Sequence, residues 1–403
     1  MLKGIGYLRK ILGVKRSWVL NKYRYYDMKN TAVDLGIMTP PKLKEWNSIV
    51  GWSAKAVDAI ADRLVFRGFA NDDVLNLGEI FDLNNADVLF DSAILGSLIS
   101  SCDFIYISED ENGFPRLQAI DGGNATGIIE PITHMLTEGY AVIERDDDEN
   151  PTIEAYFEPG ATTIYRKGEE SERFENVAPY PLLVPIIYRS DATHPFGRSV
   201  ISRACISYTG SAMRTIKRSE ISAEFFSVPQ KYILGTNPDA EQMEKWRATM
   251  SSMLQFDRDD EGNVPTVGQF QQQSMQPHMD QLRTLASLFA GETGLTLDDL
   301  GFPSANPSSS DAIKASHENL RLKARKAQRS FGTGFINTGY LAACIRDNMV
   351  YDRSEFYQTR PLWEPIFEPD ASQLGGIGDA IIKIQQSFPD YFDEDRLRDL
   401  TGI

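Results

Sequence analysis

Cysteine and histidine are both scarce in this sequence, and their scarcity closes off whole classes of chemistry. Cys102, Cys205 and Cys344 are the three cysteines, each far from the others. Their odd number and the lack of any C-x-x-C pair leave no disulfide framework and no zinc site, and a reducing cytoplasm fits them. The four histidines (His134, His194, His278 and His317) are equally scattered, and no H-x-x-x-H pair places two imidazoles on one metal. No stretch of 18 or more apolar residues occurs, so no segment is long and apolar enough to cross a membrane as a helix. The opening MLKGIGYLRKILGVKRSWVL is broken by Lys3, Arg9, Lys10, Lys15 and Arg16. It lacks the continuous apolar core of a signal peptide and is expected to be retained in the mature chain.

Catalytic motifs are missing as well. There is no G-x-x-x-x-G-K-[ST] loop to cradle nucleotide phosphates and no G-x-S-x-G nucleophile turn. Gly376 and Gly378 begin a G-x-G, but Ile381 stands where the last glycine belongs. Asp257, Asp259, Glu261 and Gly262 resemble half of a calcium loop, yet its closing position is Gly268 instead of a bidentate glutamate, so a hairpin turn is expected. The acidic run at 146–149 reads as a solvated turn. No catalytic residue, metal or cofactor is expected, and an uncharacterised hydrolase has nothing in the sequence to support it.

What is present is an uneven distribution of charge. The chain has 403 residues and a net charge of −16. Residues 1–26 nevertheless carry seven basic groups and no acid, and residues 70–176 carry 24 acids against five bases, a net of −19. Residues 311–346 return to +5, and the tail from 347 is −7. Such a chain can combine an acidic exterior with a locally basic face. Its length is enough for two or three cores.

Periodicity divides the chain. A basic amphipathic helix is expected over 1–26. A second is expected over 43–64, where Trp46, Ile49, Val50, Val57, Ile60 and Leu64 recur at helical spacing, and a third over 85–101. From Phe104 to Ile187, short alternating runs such as DFIYIS, GYAVIER, TIEAYFE and TTIYRK predict an antiparallel β region. A long proline-free helix follows Pro195-Phe196-Gly197, about 43 Å if continuous. Its Ser, Ala, Gly and Thr content suits close packing against a neighbouring helix. Residues 227–275 form a separate module of a strand, a helix and an acidic turn, and another helix covers 278–290. A Gly/Pro/Ser-rich loop then leads to an S-x-x-D helix start at Ser308 and Asp311, and a helix from Ala312 to Arg346. Arg321, Arg325 and Arg329 share one face of it, near Lys314, Lys323 and Lys326. That face can meet phosphates without reading bases, or pair with the acidic β region of the same or a neighbouring chain.

Three motifs occur in order: R-Y-Y-D-M-K-N at 24–30 with Pro40-Pro41 and WSAKAVDAIADRLVFRGF at 52–69; PFGRSVIS at 195–202 before a long helix; and GETGLTLDDLGFPSANPSSSDAIKASHENL at 291–320. Together they resemble the portal (head-to-tail connector) proteins of tailed double-stranded DNA bacteriophages of siphovirus type. The resemblance implies an α+β portal fold with a mixed wing, a long-helix stem, a small α/β clip and a helical C-terminal crown, assembled as a cyclic ring, usually of twelve copies. Carried onto this chain, it puts the wing at 1–196 with a return at 347–368. Stem helices fall at 197–226 and 276–300, with a clip between them at 227–275. A tunnel loop follows at 301–310, then the long basic helix at 311–346 and a short crown, as for a truncated C-terminus, at 369–403. The tunnel loop would hold Phe302, Pro303, Ser304, Asn306, Ser308, Ser309 and Ser310. Basic groups facing DNA or a neighbouring subunit would be Arg214, Lys217, Arg218, Lys314, Arg321, Arg325 and Arg329. Clip residues docking the motor and adaptor would be Asp239, Glu241, Glu244, Trp246, Asp257 and Asp259. The implied function is a ring-shaped channel at one capsid vertex through which double-stranded DNA is packaged and ejected. The implied partners are non-specific DNA, the terminase large subunit, a head-tail adaptor, and the major capsid and scaffolding proteins. No cofactor and no membrane are implied, and the chain would reside in the virion and, during assembly, in the host cytoplasm. The lack of an ATP site agrees with a separate motor. The competing expectation is a peripheral membrane or scaffold-binding protein that uses helix 1–26.

Overall fold

The computed structural model describes residues 2–33, 44–72, 75–227, 231–234, 266–269, 274–303, 310–356, 358–367 and 371–388. In chain order the elements begin with α1 (Ile5–Tyr26), α2 (Trp52–Ala61), β1 (Phe66–Ala70), α3 (Leu77–Asp82) and α4 (Ala86–Ser100). Eight strands follow: β2 (Cys102–Glu109), β3 (Pro115–Ile120), β4 (Ala125–Ile129), β5 (Leu136–Arg145), β6 (Pro151–Glu158), β7 (Ala161–Arg166), β8 (Glu172–Glu175) and β9 (Leu183–Ile187). Then come α5 (Arg203–Ser227), β10 (Lys231–Leu234), β11 (Thr266–Gln269), α6 (Gln276–Thr293), α7 (Ser310–Ser316), α8 (Glu318–Arg346), β12 (Arg360–Trp363) and α9 (Ala371–Ser387). The expected α+β class is observed. The chain forms two compact units, one of residues 1–30, 51–206 and 289–403, the other of 31–50 and 207–288.

The larger unit is built on antiparallel sheets, as the alternating runs predicted. One has the order β3-β2-β9, another β4-β5-β6-β7-β8, and β1 pairs with β12. Tight turns are closed by side chains whose oxygens accept from backbone N–H groups. Asp110 accepts from Asn112 and Phe114, and Asp146 accepts from Asn150. Helix α1 lies on the five-stranded sheet because its apolar stripe finds an apolar sheet face. Leu8 and Leu12 pack with Tyr140, Val142 and Tyr156 in one buried cluster.

An aromatic cluster binds the return segment to the rest. The ring of Phe66 on β1 lies 4.3 Å from Phe90 on α4, 5.0 Å from Phe335 on α8 and 5.1 Å from Trp363 on β12. Each such pair contributes about 0.5–1.5 kcal/mol beyond area burial. The second half of α8 is buried almost all round, from Phe331 to Ile345.

Helix α4 meets β2 through a polar knot. Asp103 is buried, and its carboxylate accepts from the Ser100 hydroxyl and the Gly122 N–H, both at 2.8 Å. Gly96 makes the room, since a Cβ there would sit 1.7 Å from Asp103 Oδ2. Burial pushes the Asp103 carboxyl up to about 7.

Three helix expectations are corrected. The helix expected over 43–64 is confined to Trp52–Ala61. Residues 44–50 have no regular secondary structure, and there the Lys44 carbonyl and the Ser48 hydroxyl are engaged by Lys217 and the Met213 carbonyl on α5. These contacts group 31–50 with 207–288 and not with the N-terminal elements. The helix after Gly197 begins only at Arg203, because residues 199–201 bond to α4 and to one another, Val200 N–H donating to the Leu98 carbonyl. The long helix expected over 312–346 is two helices that meet at His317. In the smaller unit, β10 and β11 pair in antiparallel register, and the Ser222 hydroxyl lies 3.3 Å from His278 Nε2.

Candidate functional site

The segment from α6 to α8 carries the third motif, and its geometry explains why a loop sits there. Helix α6 ends at Gly294, whose φ of +83° suits the glycine that terminates a helix. Lys323 of α8 donates to the Glu292 carbonyl at 2.8 Å, and Glu292 accepts from the Ser202 hydroxyl at 2.8 Å. The next turn is closed by Asp299, whose Oδ2 accepts from the Thr296 N–H at 2.8 Å and the Thr296 hydroxyl at 2.9 Å. His317 Nε2 lies 3.1 Å from the same oxygen. Burial would raise the Asp299 carboxyl, but these hydrogen bonds outweigh it and hold the group below its ordinary value. The stretch 304–309 is therefore bracketed by an α6 end and an Asp299–His317 contact, both anchored to the first turns of α8.

Of the expected loop residues, Phe302 is half-buried and donates its N–H to the Leu297 carbonyl, and Pro303 is exposed. Ser310 opens α7. Ser304, Asn306, Ser308 and Ser309 lie outside the described residues. So do all the expected clip residues, Asp239, Glu241, Glu244, Trp246, Asp257 and Asp259, and the Pro40-Pro41 pair.

The basic groups divide by environment. On α8, Leu320, Ala324, Ala327 and Phe331 form the buried side at i, i+4, i+7 and i+11. Arg321 is engaged by Glu318 one turn earlier, through two bonds of 2.7 Å. Arg325, Lys326 and Arg329 are exposed and form no ion pair among the described residues. Lys314 on α7 is half-buried. On α5, Arg214 donates to the Ser211 hydroxyl at 2.9 Å, and Arg218 is exposed. Lys217 departs from expectation. Its side chain is 7% exposed and its ammonium donates to the Lys44 carbonyl at 2.9 Å, so it is not a free surface cation.

The acidic β region is compensated by a different helix from the one expected. The cations of α1, not those of α8, reach it. Arg9 forms a two-pronged contact with Glu154 at 3.0 and 2.6 Å, and Arg16 pairs with Glu149. Lys15 is half-buried, donates to the Ala125 carbonyl at 3.1 Å and sits over the rings of Phe104 and Phe196. Burial depresses its pKa. Lys22 donates to the Ser100 carbonyl, and burial lowers it to about 8. The helix is stapled at its start by Glu138, which is 1% exposed and accepts from the N–H groups of Lys3 and Gly4. Lys15, Arg16 and Lys22 are engaged by the protein and half-buried, which leaves the membrane reading of α1 with the exposed Lys3, Arg9, Lys10 and Arg24 only. Composition carries no sign of this docking. The signal lies in the pairing of Leu8 and Leu12 with residues more than a hundred positions away.

No family model matches the chain. It is similar to the portal protein of Mycobacterium phage L5, 26% identical over 335 residues, which is 76% of this chain and 67% of that protein. The portal protein of Mycobacterium phage D29 is 25% identical over the same extent. Among solved structures, a chain from the neck of an empty gene transfer agent (GTA) particle, computed with C6 symmetry, aligns over 87% of this chain and 90% of its own. Its TM-score is 0.46 and its identity 13%. A chain of the native GTA neck, computed with C12 symmetry, gives 0.44 and 15%, over 87% of this chain and 89% of its own. At these scores the structural likeness adds nothing to the sequence match. By sequence the chain is thus similar to two phage portal proteins, the family that its three motifs resemble.

Proposed function

We propose that this chain is a phage portal subunit, a structural and non-enzymatic protein. Copies of it form the ring-shaped channel at one capsid vertex through which double-stranded DNA enters and leaves. The observation that carries the reading is sequence similarity to two phage portal proteins over 335 residues. The anchored turn at 294–303 supports it. The residues that flank the proposed channel loop at 302–310 are tied together by Lys323–Glu292 and His317–Asp299, which brings the two ends of the loop to one place. Exposed Arg325, Lys326 and Arg329, close behind in sequence, supply a non-specific phosphate-facing charge.

In this reading 1–196 with 347–368 form the wing, 197–226 and 276–300 the stem, 227–275 the clip and 369–403 the crown. The β1–β12 pairing, which returns residues 360–363 to residues 66–70, supports the wing assignment. The clip receives the terminase motor during packaging and the head-tail adaptor afterwards. Capsid and scaffolding proteins surround the ring, which forms in the host cytoplasm and stays in the virion.

The test is native mass spectrometry of the purified chain together with negative-stain images. A closed ring of about 540 kDa is expected for twelve copies of the 45.2 kDa chain. In a packaging assay, removing 304–309 should leave rings intact and impair DNA packaging or retention. Normal packaging and retention without that loop would remove the channel-loop role.

A further inference from the structure

Helix α1 is fixed to the five-stranded sheet by one side and offers the other to solvent. Arg9, Lys15, Arg16 and Lys22 all have partners within this chain. The outward side carries Tyr7, Val14 and Trp18 at i, i+7 and i+11, and Val14 and Trp18 are 64% and 69% exposed. Lys10 and Arg24, both exposed and without an ion pair among the described residues, flank this stripe. A rigidly held apolar stripe with a cationic rim is an interaction surface more than a solvated face.

The same chain carries a complement. Strand β8 is the last strand of its sheet, exposed at all four positions, and no described strand pairs with its outer edge. Phe174 on it is 51% exposed. Glu169 and Glu170 in the preceding turn and Glu175 on the strand are exposed and form no salt bridge among the described residues. Their neighbours Glu172 and Arg173, by contrast, are taken up by Arg166 and Glu158. One patch is apolar with free cations, the other apolar with free carboxylates.

The geometry points to these patches as the two halves of one contact between copies of this chain. The outer face of α1 on one copy receives the β8 edge of the next. Val14 and Trp18 cover Phe174, while Lys10 and Arg24 face the carboxylates of Glu169, Glu170 and Glu175. Because the two patches are different parts of one surface, the contact is head-to-tail and propagates until it closes into a ring. It also covers a strand edge that would otherwise invite uncontrolled pairing. The inference rests on the ring reading above and adds the surfaces that make the ring.

Charge exchange tests it, with native mass spectrometry of full-length chains as the readout. The variant K10E/R24E, and separately E170K/E175K, should each raise the protomer concentration needed for rings by about tenfold or more. Each should keep the parent's melting temperature. An equimolar mixture of the two variants should recover rings of alternating subunits, because every contact in such a ring again joins opposite charges. The uncharged change W18A should weaken assembly and be rescued by neither variant. Variants that assemble like the parent, or a mixture that stays dispersed, would overturn the contact while leaving the ring reading in place. A parent chain that forms no ring would remove the ring reading and this contact together.

Discussion

Glu138 should hold more of the fold together than any surface salt bridge on α1. It is buried on β5, and its two oxygens accept from three donors: the N–H of Lys3 at 2.8 Å, the N–H of Gly4 at 2.9 Å and the hydroxyl of Tyr156 at 2.9 Å. The first two lie at the very start of α1, where backbone donors have no partner inside the helix and a negative charge is favoured by the helix dipole. A hydrogen bond to a charged group contributes about 1.5–3 kcal/mol when buried, and less for the Lys3 donor, which can return to water. Glu138→Ala should therefore cost about 3 kcal/mol, and Glu138→Gln about half as much, since an amide nitrogen cannot accept from a second backbone N–H. In a domain of this size that is a fall in melting temperature of about 6–9 °C for the alanine variant. Arg16→Ala is the contrast. It removes a salt bridge whose acid, Glu149, is 70% exposed, and it should change stability by less than about 0.5 kcal/mol. The assays are differential scanning calorimetry and hydrogen exchange of the α1 amides. If Glu138→Ala melts within 2 °C (about 1 kcal/mol) of the parent with α1 protection unchanged, the helix is held by its apolar contacts alone and the reasoning fails.

Two further outcomes follow from buried geometry. The Asp103 carboxyl titrates at about 7 when folded, against an ordinary 3.8, chiefly because it is buried; Asp121 raises it further, while Ser100, Gly122 and Lys15 act the other way. Between those values the folded state holds a proton the unfolded chain has released, so this contribution is complete below about pH 4 and disappears as pH rises through 7, by at most about 4 kcal/mol. Asp103→Asn keeps an acceptor for Gly122 and should flatten the fall in melting temperature between pH 5 and 8; an identical slope in both proteins would contradict the assignment. Gly197, in the second motif, has φ +75°, and a Cβ there would lie 2.0 Å from the Tyr188 carbonyl oxygen. Gly197→Ala should cost about 3 kcal/mol, against about 1 kcal/mol for Gly113→Ala, where φ is +78° but nothing lies within 4 Å. Equal melting temperatures for the two variants would show that the close approach does not matter.

Local pattern makes the elements legible and leaves their partners obscure. The alternating runs from Phe104 to Ile187 state their own period, and the structure has antiparallel strands there. The apolar spacing of α1 and α6 likewise reports one buried side each. Helix ends depart from the pattern where a long-range interaction overrides propensity. Trp46 and Ile49 continue the apolar spacing of α2, yet they are exposed, because the Lys44 carbonyl and the Ser48 hydroxyl bond to Lys217 and the Met213 carbonyl instead. The break at His317 has the same origin: no proline or glycine marks it, and the bond to Asp299 comes from a turn eighteen residues earlier.

Charge is the least legible property, and the reason is physical. A count such as −19 over residues 70–176 is a sum over groups whose individual worth depends on burial and distance, and the sequence reports neither. The same helix, α1, contains Lys15, half-buried with its amino group on a carbonyl, and Lys10, exposed and without an ion pair among the described residues, five residues apart. Only the first is committed to this chain's own fold. The second is available to something else, and so are Arg24, Arg325 and Arg329. In the proposed portal role, function rests on this remainder, the cations and carboxylates that folding leaves unspent. Two such sets among the described residues are one on the outside of α1, opposite in sign to the β8 edge, and one on α8. If the first set serves neighbouring copies and the second serves DNA, reversing Lys10 and Arg24 should weaken ring assembly. Reversing Arg325 and Arg329 should leave rings intact and weaken only their salt-dependent hold on DNA, with the salt slope falling by about one for each phosphate that the ring no longer neutralises.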